Sequence, residues 1–287
     1  MELLATLPVW AVLVCTGLLG LVVGSFLNVV ILRVPARMEH EWRQQAREIL
    51  ELPAEQEKSP PGIVLKGSHC PSCGYAIRPW ENIPLFSYLF LRGRCSNCGV
   101  SISWQYPLVE FLTAALSVAV LWMLGFGYEG LAALVLTWVL IAASGIDFRT
   151  TLLPDQLTLP LLWLGLLLNT QALYVPLEDA VIGAAAGYLS LWSVYWLFKL
   201  ATGKEGMGYG DFKLLGALGA WMGWQVLPLV IILSAAAGAV IGLTMILAMG
   251  RDRQIPMPFG PYLAIAGWIA LLWGDHLIEW WMRWAGV

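Results

Sequence analysis

The sequence predicts an all-α polytopic membrane protein of about eight transmembrane helices, with a small cytoplasmic domain between the first and second. Of its 287 residues, 59% are hydrophobic and 12% are charged, whereas soluble domains have about 45–50% apolar and about 25% charged residues. Several apolar runs approach or exceed the length of about 20 residues that a helix needs to cross a bilayer. Together these observations exclude a soluble globular protein.

Eight apolar segments are candidate membrane spans, and the sixth is short. They are residues 8–32, 107–125, 129–146, 156–173, 179–200, 212–223, 225–249 and 260–282. Seven spans, with the sixth segment partly re-entrant, is the competing interpretation. No basic residue precedes the first span, so we expect that span to remain as a membrane anchor and not to be cleaved as a signal peptide.

Lysine and arginine predict the orientation, because cytoplasmic loops carry an excess of them. Nine basic residues fall between Arg33 and Arg94, after the first span. Six more lie in the later alternate loops: Arg149, Lys199, Lys204, Lys213, Arg251 and Arg253. Arg283 is the only basic residue that falls on the opposite side of the membrane. We therefore expect both termini to be periplasmic and residues 35–106 to be cytoplasmic, which requires an even number of spans.

This orientation divides the chain into three predicted domains. Residues 1–34 form the first transmembrane helix, 35–106 the cytoplasmic domain and 107–287 the membrane domain. Within the cytoplasmic domain, residues 36–52 are charged, with apolar residues near helical spacing, which predicts an amphipathic helix. Residues 53–61 read as a polar linker. The chain shows no internal repeat, so the sequence gives no support to an inverted-repeat transporter.

Two short motifs, Cys70-Pro-Ser-Cys73-Gly and Cys95-Ser-Asn-Cys98-Gly, predict a zinc-ribbon-like site in the cytoplasmic domain. Each motif offers two thiolates to one tetrahedral ion, although the 21 residues between the pairs slightly exceed the usual spacing of about 15–20. The cytoplasm is reducing, so two disulfides are not expected. Redox chemistry is the alternative to zinc. Four thiolates would close the coordination shell, which favours a structural metal.

Two aspartates at the edges of spans are candidate catalytic residues, because a carboxylate there is costly to maintain. Asp211 follows three glycines within five residues, and Asp147 lies at the end of the third span. The predicted orientation places both at the cytoplasmic face, on different helices. Two close carboxylates share one proton, so that one activates water and the other acts as an acid. This arrangement is typical of aspartic proteases.

Structural roles are the alternative for these carboxylates. Asp211 would then cap the sixth span, and Asp147 would pair with Arg149 or Lys213. For Asp155, at the start of the fourth span, helix capping or charge complementarity in the first helical turn is the default role. It could also adjust the protonation of the other two aspartates.

The segments Gly208-Tyr-Gly-Asp211 and Asp147…Leu153-Pro-Asp155 closely resemble the type IV prepilin peptidases, membrane aspartic proteases with a Gly-x-Gly-Asp motif. Further segments similar to that family run through most of the chain. They are Gly24-Ser-Phe-Leu-Asn28-Val, the two cysteine pairs, Asn82-Ile-Pro84, Tyr106-Pro-Leu-Val-Glu110 and Pro258-Phe-Gly-Pro261. This ordered set is much more specific than a single Gly-x-Gly-Asp motif.

The resemblance implies that Asp147 and Asp211 are the catalytic pair, supported by Gly208, Gly210, Asp155 and Lys213. The family removes the basic leader peptide of type IV prepilins and type II secretion pseudopilins at the cytoplasmic face of the inner membrane. Members with the cysteine-bearing domain also methylate the new N-terminal residue, commonly Phe, with S-adenosylmethionine. The implied cofactors are zinc and S-adenosylmethionine; the partners are prepilins, pseudopilins and the bilayer, with no nucleic acid.

No Gly-rich nucleotide loop after a strand marks a pocket for S-adenosylmethionine. The candidate methyltransferase residues lie where the cytoplasmic domain meets the membrane: Gly24, Asn28, Pro107 and Glu110. For Glu110, a salt bridge with Arg33 or another cation is the structural alternative.

Other functions predict different features. A presenilin-type protease would have Tyr before the first aspartate, where this chain has Ile146, and a later Pro-Ala-Leu element that is absent. An ion transporter with an aspartate relay would not need a zinc module. A peptidase without methyltransferase activity and a non-enzymatic assembly factor are the remaining alternatives.

Overall fold

The structure is a computed structural model that describes residues 8–53, 59–64, 67–249 and 257–285. Most of these residues are helical. The α-helices are α1 (Val9–Ile49), α2 (Phe86–Phe90), α3 (Gln105–Leu124), α4 (Tyr128–Thr150), α5 (Asp155–Asn169), α6 (Leu177–Thr202), α7 (Tyr209–Met222), α8 (Leu227–Met249) and α9 (Gly260–Ala285), and a 3₁₀ helix covers Pro79–Asn82. Within the described ranges, β pairing is limited to two isolated bridges. The predicted all-α class is confirmed.

Six helices are long and apolar enough to cross a membrane: α1, α3, α4, α6, α8 and α9. This confirms a multi-pass protein, and each of the eight predicted spans coincides with a helix. The other two, α5 and α7, have 15 and 14 residues. At 1.5 Å per residue they are about 22 and 21 Å long, against about 30 Å for a bilayer core.

Four basic residues used to predict the orientation, Lys58, Lys66, Arg251 and Arg253, lie outside the described residues.

The two short helices end at identifiable residues. α5 ends at Asn169, whose side-chain Oδ1 accepts the backbone N–H groups of Tyr174 and Val175 at 3.0 and 3.2 Å. α7 ends at Met222, and the next residue, Gly223, has a φ of 80°, a conformation that favours glycine. The sequence showed the shortness of α7 but not that of α5, because the chain after Asn169 is apolar enough to continue the pattern.

The first helix is longer than predicted. α1 continues without interruption through Pro35 to Ile49, although proline lacks a backbone N–H and normally breaks a helix. The predicted span at 8–32 and the predicted amphipathic helix at 36–52 are therefore parts of one helix. Its 41 residues extend about 61 Å, twice the thickness of a bilayer core, so α1 is much longer than a crossing requires.

The chain forms two compact units, Met1–Trp122 and Met123–Val287. In the second unit, α7 is the central helix: all its residues from Leu214 to Met222 are buried. It packs most closely against α6 and α5 and also contacts α9. The backbones of α6 and α7 touch, since a Cβ on Gly219 would lie only 2.1 Å from the carbonyl oxygen of Gly183. This packing fixes the N-terminal turn of α7, where Asp211 lies.

Candidate active site and metal centre

Asp147 lies in the last turn of α4, and its side chain is bound by the N-terminus of α9. The N–H of Gly260 donates to Asp147 Oδ2 at 2.9 Å, and only 4% of the residue is exposed. A helix N-terminus carries a partial positive charge that favours an anion. α4 ends directly afterwards, because Thr151 has a φ of 53° and donates its N–H to the Asp147 carbonyl at 2.8 Å.

Asp211 is the third residue of α7, and its side chain reaches back to the start of that helix. The N–H of Gly208 donates to Asp211 Oδ2 at 3.2 Å, and 6% of the residue is exposed. The capping role considered as an alternative is therefore present, but it uses one oxygen. For the described residues, no hydrogen bond reaches Oδ1 of either Asp147 or Asp211, so each carboxylate keeps one oxygen for chemistry.

Asp147 and Asp211 line the same cavity, which has a volume of about 1040 Å³. Leu153 packs between the two backbones that hold them: a Cβ on Gly210 would lie 2.5 Å from Leu153 Cβ, and one on Gly260 would lie 3.1 Å from Leu153 Cδ1. Both positions therefore need glycine for this close approach.

Asp155 and Lys213 line the same cavity and form an ion pair. Lys213 Nζ lies 2.6 Å from Asp155 Oδ1, which connects the start of α5 to the second turn of α7. Lys213 is therefore paired with Asp155 and not with Asp147. As the first residue of α5, Asp155 is also placed where the helix dipole favours a negative charge, in line with its default role.

One wall of the cavity is apolar, and sequence reasoning missed it. One face of α8 supplies this wall with residues at intervals of three or four: Ala235, Gly238, Ala239, Gly242, Met245 and Ile246. The spacing of the small residues was visible in the sequence, but α8 is apolar on all sides and nothing identified the functional face. Such a wall beside two carboxylates suits an apolar peptide with its reacting bond at the polar end.

The connection from residue 203 to 208, which precedes Asp211, is tied to the end of α6. Lys199 Nζ donates to Glu205 Oε1 at 2.8 Å and to the Tyr195 hydroxyl at 3.2 Å, and it lies 5.4 Å from the ring centre of Trp196. The hydrogen bond from Lys199 lowers the pKa of the Glu205 carboxyl. Glu205 itself lines the cavity, and no sequence pattern predicted its pairing.

The four motif cysteines lie together at two matching turns. The sulfurs of Cys70, Cys73, Cys95 and Cys98 all lie within 4.8 Å of one another, and none of the four is in a disulfide. In each turn the following glycine donates its N–H to the carbonyl of the first cysteine at 3.0 Å. These two glycines have φ values of 71° and 72°, so the glycine in each motif permits the turn.

This donor set fits a metal ion. Cys70 Sγ and Cys98 Sγ are 3.8 Å apart, the separation of two sulfurs at about 2.3 Å from one tetrahedral zinc. The side-chain amide of Asn97 donates to Cys73 Sγ at 3.6 Å, which lowers the pKa of the Cys73 thiol to about 6. Although a hydrogen bond with the Val100 backbone lowers it, burial and the three neighbouring cysteines raise the pKa of the Cys98 thiol to about 11, so a bound cation would be needed to hold all four as thiolates. The ring of His69 faces the Gly67 carbonyl instead.

Two of the candidate methyltransferase residues lie at the crossing of α1 and α3. A Cβ on Gly24 would lie 2.7 Å from Glu110 Cα, so Gly24 permits the close approach of the helices. Asn28 is 1% exposed, and its Nδ2 donates to the carbonyls of Gly24 and Tyr106 at 3.3 and 3.1 Å. A third, Pro107, is buried in the first turn of α3. These contacts hold the two helices together.

Glu110, the fourth of these residues, connects α3 to the segment before α2. Its Oε2 accepts the N–H of Leu85 at 2.8 Å, and the Ser25 hydroxyl is a further hydrogen-bonding partner. Within the described ranges a backbone N–H and a hydroxyl therefore take the place of the cation considered from the sequence. Arg33 instead bonds the carbonyls of Gly62 and Gly67 at 2.6 and 3.2 Å.

Comparison with known proteins decides the family. The model of the bacterial peptidase A24 N-terminal domain matches residues 18–124, and that of the type IV leader peptidase family matches residues 134–243. The chain is 57% identical over 286 residues to the prepilin leader peptidase/N-methyltransferase of Pseudomonas aeruginosa, covering 100% of this chain and 98% of that relative. The chain belongs to the type IV leader peptidase family.

Other members of the family are equally similar along their length. Proteins with the same name from Xanthomonas campestris pv. campestris and Aeromonas hydrophila are 58% and 56% identical, over 269 and 283 residues. The matches cover 94% of both chains in the first case, and 98% of this chain and 97% of the relative in the second. No solved structure matches the chain. The family resemblance drawn from the motifs is confirmed.

Proposed function

We propose that this member of the type IV leader peptidase family cleaves the leader peptide of type IV prepilins and pseudopilins and then N-methylates the exposed residue. Relatives that match it over almost their full length carry both activities in their names. The observation that supports the peptidase half is the pair of buried carboxylates, Asp147 and Asp211, on one cavity beside the Gly-x-Gly-Asp sequence.

Cleavage follows from two carboxylates that share one proton. The ionised carboxylate takes a proton from a water molecule, whose oxygen then bonds to the scissile carbonyl carbon. The protonated carboxylic acid donates its proton, so that the nitrogen leaves as a free amine and the leader ends in a carboxyl group. The N–H groups of Gly208 and Gly260 hold the Oδ2 atoms, which leaves each Oδ1 for the water or substrate.

The cavity supports an apolar substrate segment next to the cut. The α8 wall would contact the apolar helix of the pilin, and the polar end of the cavity, with Glu205 and the two aspartates, would receive the junction with the basic leader. The distribution of lysine and arginine favours the cytoplasmic side for that end. The proposed location is the bacterial inner membrane, with both termini periplasmic.

We assign zinc to the four-cysteine cluster, with a structural role because four thiolates leave no open position. S-adenosylmethionine would supply the methyl group to the new N-terminal amine. Gly24, Asn28, Pro107 and Glu110 are the residues to test for methyl transfer. Their packing contacts within the first unit favour a role in supporting that activity through the α1–α3 crossing.

The dyad is tested with purified protein in lipid nanodiscs and a purified prepilin. We expect Asp147→Asn and Asp211→Asn each to lower the cleavage rate by at least about 100-fold, the scale of acid–base catalysis. Asp275→Asn changes an exposed aspartate of the same unit and should keep the wild-type rate. Substantial cleavage by either dyad variant would contradict the assignment.

Methyl transfer is followed separately, with labelled S-adenosylmethionine and pilin that has already been cleaved. Both dyad variants should methylate this product at the wild-type rate, because they lack only the carboxylate chemistry. Loss of methylation in folded dyad variants would argue for one shared site. A wild-type protein that cleaves but never methylates would instead support the peptidase-only alternative.

A further inference from the structure

Five large apolar side chains in α2 or just before it are exposed, although they lie outside the membrane-capable helices of the first unit. We call them the aromatic patch: Trp80, Ile83, Phe86, Leu89 and Phe90. Their exposed fractions run from 48% for Ile83 to 89% for Phe90. Large apolar patches are rare on surfaces that face only water and usually mark a site of interaction.

The patch is built around the five-residue helix α2. Phe86, Leu89 and Phe90 are spaced at i, i+3 and i+4, which places them on one side of a helix. On the opposite side of α2, the Tyr88 ring packs on Trp104 with ring centres 5.4 Å apart. The Ser87 hydroxyl donates to the Ile83 carbonyl at 2.8 Å. α2 is therefore held with its three apolar residues outward.

α2 is attached to the first turns of a membrane-capable helix. Leu85, directly before α2, has a φ of 60°, which a non-glycine residue keeps only where its surroundings hold it. What holds it is the buried carboxylate of Glu110, which accepts its N–H at 2.8 Å. Glu110 lies five residues into α3, about 7.5 Å along the axis. The start of α2 thus lies level with the end of a membrane span.

Basic side chains outnumber acidic ones in the sequence around the patch. Arg78, Arg92 and Arg94 are exposed, and Glu81 is the one acidic residue in the sequence from 68 to 104. Glu81 already accepts the backbone N–H of Arg78 at 3.0 Å. The guanidinium of Arg78 lies 5.6 Å from the ring centre of Trp80, so a cation borders the apolar surface. Aromatic side chains with neighbouring arginines favour the headgroup region of anionic bilayers.

We propose that the aromatic patch inserts into the headgroup region of the leaflet at the N-terminal end of α3 and binds anionic lipid there. The contact holds the four-cysteine domain against the membrane surface. It is independent of the proposed peptidase activity, because the patch belongs to the first unit and Asp147 and Asp211 belong to the second. Lipid is favoured over a protein partner because the Leu85–Glu110 bond already places the patch at the depth of the bilayer surface.

The test uses the full chain in nanodiscs, with the photoreactive residue p-benzoylphenylalanine placed at Phe90 and, in a second variant, at Leu89. Both positions are exposed, so folding should not depend on them. Ile49, which is 81% exposed at the far end of α1, is the control. After irradiation we expect lipid adducts at Phe90 and Leu89 in several-fold higher yield than at Ile49.

The lipid preference gives a second readout. The adduct yield at Phe90 should rise when phosphatidylglycerol replaces part of a phosphatidylcholine bilayer. The pair Arg92→Gln, Arg94→Gln should reduce this rise, by about fivefold for each arginine that acts near the surface. Equal lipid yields at Phe90 and Ile49, adducts only to other parts of this chain or to added prepilin, or no adducts at all would each overturn the proposal.

Discussion

Gly260 has three structural roles, and its position leaves no room for a larger side chain. Its N–H binds Asp147 Oδ2, it starts α9, and its open side accommodates the Leu153 side chain. A Cβ there would lie 2.8 Å from Asp147 Oδ2 and 3.1 Å from Leu153 Cδ1. A methyl group would therefore push directly on a proposed catalytic carboxylate.

We expect Gly260→Ala to lower kcat for prepilin cleavage by about tenfold or more, since small displacements of a reacting group are costly, with little change in KM. Gly274→Ala is the matched control on the same helix, because a Cβ there would meet its nearest neighbour at an ordinary 3.5 Å. Steady-state kinetics of both variants in nanodiscs measures the effect. Equal rates for the two would show that this close approach does not position Asp147.

Among the elements, the connection between α6 and α7 depends on a small cluster at its two ends. Lys199 and Glu205 are bonded at 2.8 Å, Tyr195 is buried under Lys199, and Gly206 packs against Phe198, where a Cβ would lie 2.9 Å from the ring. The cluster thus orders the residues that lead into Gly208, whose N–H binds Asp211.

Lys199→Met and Glu205→Gln should each speed hydrogen exchange of the amides from 203 to 208 by a few-fold, because each removes the same exposed ion pair. The double variant should exchange no faster than either single one. Lys204→Met, which alters a neighbouring cavity-lining lysine, is the control. If the two single effects add up instead, Lys199 and Glu205 act independently.

The same pair has a predictable dependence on pH. Lys199 lowers the pKa of the Glu205 carboxyl in the folded protein, so the ion pair contributes fully above the ordinary carboxyl pKa of about 4.3. This contribution is lost as the pH falls through the lowered value. Exchange of the 203–208 amides, corrected for its intrinsic pH dependence, should therefore be insensitive to pH near neutrality, and the protection due to Glu205 should disappear in acid.

For the molecule as a whole, the metal site and the proposed peptidase site belong to different compact units. We expect the Cys70→Ser, Cys73→Ser variant to lose about one zinc ion per chain and to become sensitive to protease between residues 68 and 104, because such sites fold with their metal. Cys15→Ser, which changes the fifth cysteine, should keep the metal. Metal analysis and mass spectrometry of the fragments measure this; an unchanged zinc content would reject the site.

The sequence predicted those features that depend on local patterns. The cysteine turns are specified by four-residue motifs, and the shared face of Asp147 and Asp211 follows from the order of spans and basic loops. Contacts between distant residues were not predictable: the Gly260 bond to Asp147 joins residues 113 apart, and the Glu110 bond to Leu85 depends on how a loop folds. α1 passes through Pro35 because the helix on either side is long enough to tolerate one missing hydrogen bond.

The bond between Gly260 and Asp147 also has a consequence for biosynthesis. Asp147 leaves the ribosome long before Gly260, and its Oδ2 stays without this donor until the start of α9 has been translated and inserted. A chain that is still being made, or one that ends early, therefore lacks the support of one of the two aspartates. The support of Asp147 by the N-terminus of α9 therefore forms only after the 113 residues that follow Asp147 have been made.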